Sequence, residues 1–213
     1  MSTALLAYRP PALEVPPYVR RADVSAAEWT GMLLDRARVI LWDGVAVGAR
    51  DEVTPALRLA VLADLVPRRG VVGRCAAAWV HAGGTRPTKV DVLVPAGVRR
   101  TDPHPLRRAA EAALPADDVL DLGTGRVTTV QRTGLDVARY AAPDEAVRRL
   151  VRLLPLGYDP HAALAALAEM PGARGVDRAR RLHEALLPLL PSAVAGAAGL
   201  RRGSPAGRGS SRP

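Results

Sequence analysis

A helix followed at once by a β-hairpin is the feature of this sequence that most narrows the folds open to it. Ser25 and Glu28 have the spacing of a capping box, in which the two residues satisfy each other's free amides, so we predict a helix from Ser25 to about Arg36. Apolar runs then flank Asp43–Gly44, a turn pair in which glycine tolerates positive φ. A helix and a hairpin in this order are typical of the second half of a winged-helix module.

Farther along the chain, the sequence pattern predicts a mixture of helices and strands, followed by a C-terminal part that is predicted to contain helices alone. Caps and apolar spacing predict helices at 54–65, 74–82, 143–154, 159–169 and 176–186, a strand at 89–94 and a second hairpin at 119–122 and 126–130. Residues 96–116 stay open, because 106–114 has a helix-like composition whereas His104 lies between two prolines. We predict an α+β protein: a small, reduced winged-helix-like lobe, then a mixed α+β domain that ends in a helical bundle.

The predicted domain boundaries follow changes in composition. Residues 1–22 are rich in proline and are predicted to be an extended arm, and residues 23–52 are the reduced winged-helix-like segment. Residues 53–190 form the predicted α+β domain. Residues 191–213, a mixture of Gly, Ser, Pro and Arg, are predicted to be a flexible basic tail.

The net charge of +9, from 30 basic and 21 acidic residues, suggests a nucleic-acid partner, so its distribution along the chain matters. Residues 1–66 hold 7 basic and 8 acidic side chains, whereas residues 188–213 hold 4 arginines and no acid. Much of the excess therefore lies on the predicted tail. The predicted folded part is only mildly basic.

A search for catalytic and metal-binding patterns finds none with a convincing spacing. The histidines and the single cysteine lack the spacing of zinc ligands. The sequence also lacks the P-loop motif, a glycine-rich loop that ends in lysine and serine or threonine and binds phosphates. Lys89 is the sole lysine and comes two residues before Asp91, which argues against a metal-dependent nuclease core. We therefore predict no enzyme, no metal and no cofactor; an enzyme would require turnover that depends on Asp91 or Asp136.

The cellular compartment can be inferred from the single cysteine and from the length of the apolar runs. Cys75 lies in an apolar run and is predicted to be a buried free thiol in a reducing environment. The first residues lack a basic segment followed by a long apolar stretch, and the longest uncharged run is interrupted by proline and glycine. We expect a cytoplasmic protein without a membrane segment.

Four blocks of sequence between about residue 54 and residue 190 point to a known family. They are residues 73–83, residues 90–95, residues 127–128 with 132–139, and residues 174–176 with 179–180. In these blocks the chain resembles the AbiE-type antitoxin family. Its members are antitoxins and antitoxin-like transcriptional regulators of type IV toxin–antitoxin systems, common in actinobacteria. The block around Val127, Thr128, Arg132, Thr133 and Asp136 is the most specific.

The resemblance implies a division of labour between two parts of the chain. A small winged helix would bind inverted repeats in the protein's own promoter DNA, and the larger α+β domain would supply antitoxicity. The cognate toxin resembles nucleotidyltransferases and is opposed without a stable complex being required. The side chains available for phosphate contacts in the lobe are Arg20, Arg21, Arg36, Arg38 and Arg50.

The most specific block of the resemblance also has a structural explanation. Thr128 or Thr129 can cap the helix that follows, and Arg132 and Asp136 have the i,i+4 spacing of an ion pair. We therefore predict that Thr128, Arg132, Thr133 and Asp136 are structural residues rather than a contact surface.

Two functions stay open. The first is a DNA-binding transcriptional regulator of a type IV toxin–antitoxin system. The alternative is a protein-interaction module that keeps the family domain and has lost specific DNA binding, because a complete winged helix needs about three helices before its wing and only one is predicted here. Two further arginine groups, Arg148, Arg149 and Arg152, and Arg174, Arg178 and Arg181, are predicted to be solvated helix faces, the first opposite a buried stripe that includes Val151.

Overall fold

The computed structural model describes residues 17–95, 97 and 102–189, and in these residues the fold is α+β. The helices are α1 Ala26–Leu34, α2 Pro55–Ala60, α3 Arg74–Ala82, α4 Val130–Tyr140, α5 Pro143–Leu153, α6 Pro160–Ala168 and α7 Val176–Leu186. The strands are β1 Tyr18–Arg20, β2 Arg38–Trp42, β3 Val45–Gly48, β4 Val71–Val72, β5 Val90–Val94, β6 Arg107–Glu111, β7 Val119–Asp121 and β8 Arg126–Thr128.

The N-terminal lobe consists of α1 and an antiparallel sheet in the order β1-β3-β2. The capping box forms as predicted: the Ser25 amide donates to Glu28 Oε2 at 2.9 Å, and the Glu28 amide donates to Ser25 Oγ at 3.2 Å. The hairpin turns at Asp43–Gly44, with Gly44 at φ 64°. Residues 18–20, inside the predicted arm, pair with β3, because that strand would otherwise leave one edge of its amides and carbonyls unpaired.

The larger sheet has the mixed order β6-β5-β4-β8-β7. The second hairpin forms as β7 and β8, which are antiparallel. Residues 107–111 are a strand parallel to β5, although the composition of 106–114 favoured a helix. The buried strand β5 needs a partner on its outer edge, and this tertiary requirement outweighs the helix propensity of a segment with two alanines.

Helix α2 ends earlier than the sequence predicted. Thr54 caps it by accepting from the Leu57 amide at 3.2 Å, but the helix stops at Ala60 and a 3-10 turn follows over Ala63–Leu65. The change of geometry buries Leu62 completely while Asp64 faces solvent and β1.

One hydrophobic cluster joins the lobe to the larger sheet. Trp42 and Val45 of the hairpin belong to the same cluster as Leu62 and Trp79, and the rings of Trp42 and Trp79 lie 5.5 Å apart. Arg20 also forms an ion pair with Asp64, at 2.6 Å. The parts of the chain on the two sides of residue 52 thus contribute to one hydrophobic cluster.

Helices α4 to α7 form the predicted C-terminal bundle around a second cluster, which α3 joins to the sheet through Ala78. His183 is fully buried there. Its Nδ1–H donates to the Ala179 carbonyl at 2.6 Å, so Nε2 accepts from the Tyr158 hydroxyl. Burial lowers the pKa of His183, which keeps the ring a neutral hydrogen-bonding bridge.

Two side chains of α5 lie on the face opposite to the one predicted. Arg149 is 6% exposed, and Val151 is 49% exposed. The Arg149 guanidinium donates to the Cys75 carbonyl at 3.1 Å and to Glu145 at 2.7 Å, and these partners offset the cost of burying the charge. The prediction that Arg149 is solvated and Val151 buried was therefore wrong.

Two helix-interior glycines provide a test of this packing. In α4, a Cβ at Gly134 would overlap the ring of Tyr158, whereas in α1 a Cβ at Gly31 would meet nothing within 4 Å. We expect Gly134→Ala to lower the free energy of unfolding by about 1–3 kcal/mol through overpacking. Gly31→Ala, the matched control, should raise it by about 0.5–1 kcal/mol through helix propensity. Urea unfolding measures both, and effects of the same sign would contradict the packing of α4.

Candidate interaction site

The site is built around Arg74, the first residue of α3. The chain leaves β4 through Gly73, where a Cβ would lie 2.6 Å from the Leu93 side chain, and Arg74 then has a left-handed φ of 51°. This conformation is uncommon for a residue with a side chain and is retained only where the surroundings hold it. The Arg74 guanidinium lies 4.2 Å from the centre of the Tyr140 ring, so it is held by a cation–π contact.

Asp91 is the first of two buried carboxylates beneath this arginine. It lies in β5, is 4% exposed, and has Oδ1 3.6 Å from Arg108 and 3.9 Å from Arg74. Within the described chain, this oxygen accepts no hydrogen bond. Burial raises the pKa of Asp91, and the two arginines oppose that rise.

Asp136 is the second buried carboxylate, on α4 and 1% exposed. It accepts a hydrogen bond from Arg132 Nε at 2.9 Å, and Arg139 lies 3.8 Å away. Arg132 also donates to Asp118 at 2.7 Å and to the Ala113 carbonyl at 3.0 Å. Burial raises the pKa of Asp136 against the attraction of these arginines.

Arg74 and Tyr140 line both of two neighbouring hollows. The first hollow, of about 190 Å³, is also lined by Lys89, Asp91, Arg108 and Glu145. The second hollow, of about 260 Å³, is also lined by Glu111, Arg132, Asp136 and Arg139. Arg139 lies 5.0 Å from the Tyr140 ring, so two guanidinium groups contact one tyrosine. We call Arg74, Arg108, Arg132, Arg139 and Tyr140 the arginine face.

The arginine face is only partly open to solvent: the side chain of Arg108 is 58% exposed, whereas those of Arg74, Arg132 and Arg139 are 17%, 14% and 11% exposed. Asp91 and Asp136 line different hollows, and each has two arginine partners. Among the residues that the structure describes, no group of three or more His, Cys, Asp or Glu side chains is placed to hold a metal ion. Arginine and tyrosine are among the residues enriched in the energetic hot spots of protein interfaces.

The residues of the block that resembles the antitoxin family lie beneath and beside this face. Thr129 caps α4 by accepting from the Arg132 amide at 3.3 Å, which resolves the choice between the two threonines. Thr128 and Thr133 are fully buried and share a hydrogen bond of 2.6 Å. Arg132 and Asp136 form the expected pair, but both also line the second hollow.

The five lobe arginines are not gathered into one basic surface of free side chains. Arg20 is held by Asp64, and Arg38 is only 8% exposed. Arg21, Arg36 and Arg50 are exposed and lie on the 3-10 turn after β1, at the end of α1 and after β3, respectively.

Sequence reasoning found the Arg132–Asp136 pair but missed Arg74, Arg108 and Tyr140. These residues lie on α3, β6 and the end of α4 and meet only through the fold. One signal was available, since Asp91 is a charge inside the otherwise apolar strand Val90–Val94.

Comparison with known proteins does not identify the chain: no family model matches it, and a search of curated proteins returns no match. Within the described ranges, no helix has the length and apolar character needed to cross a membrane.

Cys75, in α3 and at the edge of the first hollow, reports on this environment. Burial raises its pKa to about 11. Because the thiolate is the reactive form, alkylation of the folded protein by iodoacetamide should be slow at about pH 8 and should accelerate toward about pH 11. Urea-unfolded protein, the control, should follow an ordinary thiol with a pKa of about 8.5. The chain has one cysteine, so mass spectrometry counts the product directly; equal pH profiles would contradict the burial of this thiol.

Proposed function

We propose that this chain is a cytoplasmic, non-catalytic regulator of the antitoxin type that acts through a protein contact made by its arginine face. The antitoxin class rests on the sequence resemblance. The observation that supports the proposed protein contact is that the guanidinium groups of Arg74 and Arg139 lie 4.2 and 5.0 Å from the centre of the Tyr140 ring. The partner class that the resemblance suggests is a nucleotidyltransferase-like toxin, for which a transient contact suffices.

The charges around the face favour a protein over a nucleic acid. Each of its four arginines has a carboxylate oxygen within 4 Å, and Glu111 and Glu145 line the hollows. A polyphosphate binds where many cations lack such partners, because its affinity comes from neutralising phosphates. A protein surface with a few carboxylates and apolar atoms fits alternating charges around a tyrosine better.

The charges of the N-terminal lobe also favour a protein partner over a nucleic acid. Helix α1, which would face the major groove in a winged helix, contains no lysine or arginine. Besides the three exposed arginines, the lobe exposes six acids: Asp23, Glu28, Asp35, Asp43, Asp51 and Glu52. Phosphates would meet repulsion on most of this surface.

A DNA-binding regulator is the second candidate, and the topology of the lobe favours it. The sheet order β1-β3-β2, with α1 directly before the hairpin, matches the helix and wing of a reduced winged helix. In that case Arg21, Arg36 and Arg50 would contact phosphates.

Fluorescence anisotropy decides between the two for the lobe. At about 50 mM salt, where phosphate contacts are strong, we expect equal affinity for a labelled duplex from the protein's own upstream region and for a scrambled duplex. The double variant Arg36→Ala/Arg50→Ala should leave both affinities within about twofold. A preference of about tenfold or more for the native duplex, lost in the variant, would favour the DNA-binding regulator.

Growth protection tests the arginine face. The chain is co-expressed with the nucleotidyltransferase-like toxin that we expect to be encoded beside it. Arg74→Ala/Tyr140→Ala should abolish protection from the toxin, because it removes the centre of the face. Arg180→Ala, an arginine of α7 outside the face, is the matched control and should protect fully. Circular dichroism verifies folding, and full protection by a folded double variant would refute the proposed contact.

A further inference from the structure

A third hollow lies where the N-terminal lobe meets the larger sheet. It has a volume of about 560 Å³, within the range of pockets that hold small organic ligands. Its walls come from residues 20–22 at the end of β1, from the hairpin at 42–45, and from residues 61, 64, 65, 104 and 106. We call it the junction hollow, and it is separate from the two hollows of the arginine face.

The deeper part of the junction hollow is apolar. Trp42, Val45 and Val61 are buried, and Leu65 and Leu106 are half-buried. A tryptophan ring with four aliphatic side chains offers a surface suited to a flat or branched apolar group. The hydrophobic effect would favour transfer of such a group from water to this surface.

The exposed polar side chains of the junction hollow are Arg21, His104, Asp43 and Asp64. Arg21 is exposed and has no ion-pair partner in the described part of the chain. His104 Nδ1 accepts from the Leu106 amide at 3.2 Å, so the neutral ring carries its proton on Nε2 and can donate. Of the two carboxylates, Asp64 is paired with Arg20, and Asp43 has no ion-pair partner in the described part of the chain. The rim thus has two side chains with free donors, Arg21 and His104, against one unpaired carboxylate, Asp43, and this balance favours an anionic over a cationic ligand.

We propose that the junction hollow binds a small amphipathic organic anion. Its apolar body would lie against Trp42, Val61 and Leu106, and its carboxylate, sulfonate or phosphate would lie beside Arg21 and His104. Because the lobe and the larger sheet both line the hollow, such a ligand binds only while the two remain packed together. The proposal is independent of the contact assigned to the arginine face.

The test uses two matched fluorescent probes. 8-Anilinonaphthalene-1-sulfonate has an aromatic body and an anionic group, and N-phenyl-1-naphthylamine is the same body without the charge. We expect the sulfonate to bind the full chain at one saturable site. Arg21→Glu should weaken the sulfonate about fivefold and leave the uncharged probe unchanged, because only the charged group meets residue 21.

A blocking variant locates the site. Leu106→Trp should weaken both probes about tenfold or more, because the larger ring occupies the hollow. Leu156→Trp, at an exposed position outside the hollow, is the matched control and should bind as the unmodified chain does. Saturable binding that Leu106→Trp leaves intact, an equal response of both probes to Arg21→Glu, or no saturable binding would overturn the proposal. If Leu106→Trp fails to fold, the response to Arg21→Glu decides alone.

Discussion

The arginine face depends on two carboxylates that the fold removes from water. A buried charge is tolerated only with close partners, so Asp91 in β5 and Asp136 in α4 fix where arginines must lie. Arg74 and Arg108 lie within 4 Å of Asp91, and Arg132 and Arg139 lie within 4 Å of Asp136. Guanidinium groups held in this way would lose less entropy on binding the proposed partner.

In the N-terminal lobe, too, an arginine is paired with a carboxylate of another part of the chain. Arg20 pairs with Asp64, and the packing of Trp42 on Trp79 joins the hairpin to the larger sheet. A side chain expected to contact phosphate is therefore used to hold the lobe in place. The lobe has the strand order β1-β3-β2 and contacts the rest of the chain through Arg20 and Trp42, and the junction hollow lies along that contact.

Features that depend on residues close together in the sequence were predicted correctly, whereas features that depend on distant residues were missed. The caps at Ser25, Thr54 and Asp159 and the turn at Asp43–Gly44 act within a few residues, so the sequence was sufficient for them. The strand at 107–111 and the burial of Arg149 depend on partners far along the chain, which propensity does not contain. For the same reason the i,i+4 pair Arg132–Asp136 was predicted, whereas the contact of Arg74 with Tyr140 was not.

A double-mutant cycle on the Arg132–Asp136 pair is the most direct test of the buried carboxylates as organisers of the face. Urea unfolding is measured for Asp136→Asn, Arg132→Met and the double variant. We expect Asp136→Asn alone to cost about 1–3 kcal/mol, because Arg132 loses the charge of one of its two carboxylate partners and keeps Asp118, and the double variant to cost clearly less than the sum of the two. Additive losses, within about 0.5 kcal/mol, would contradict the view that Asp136 holds the arginine face together.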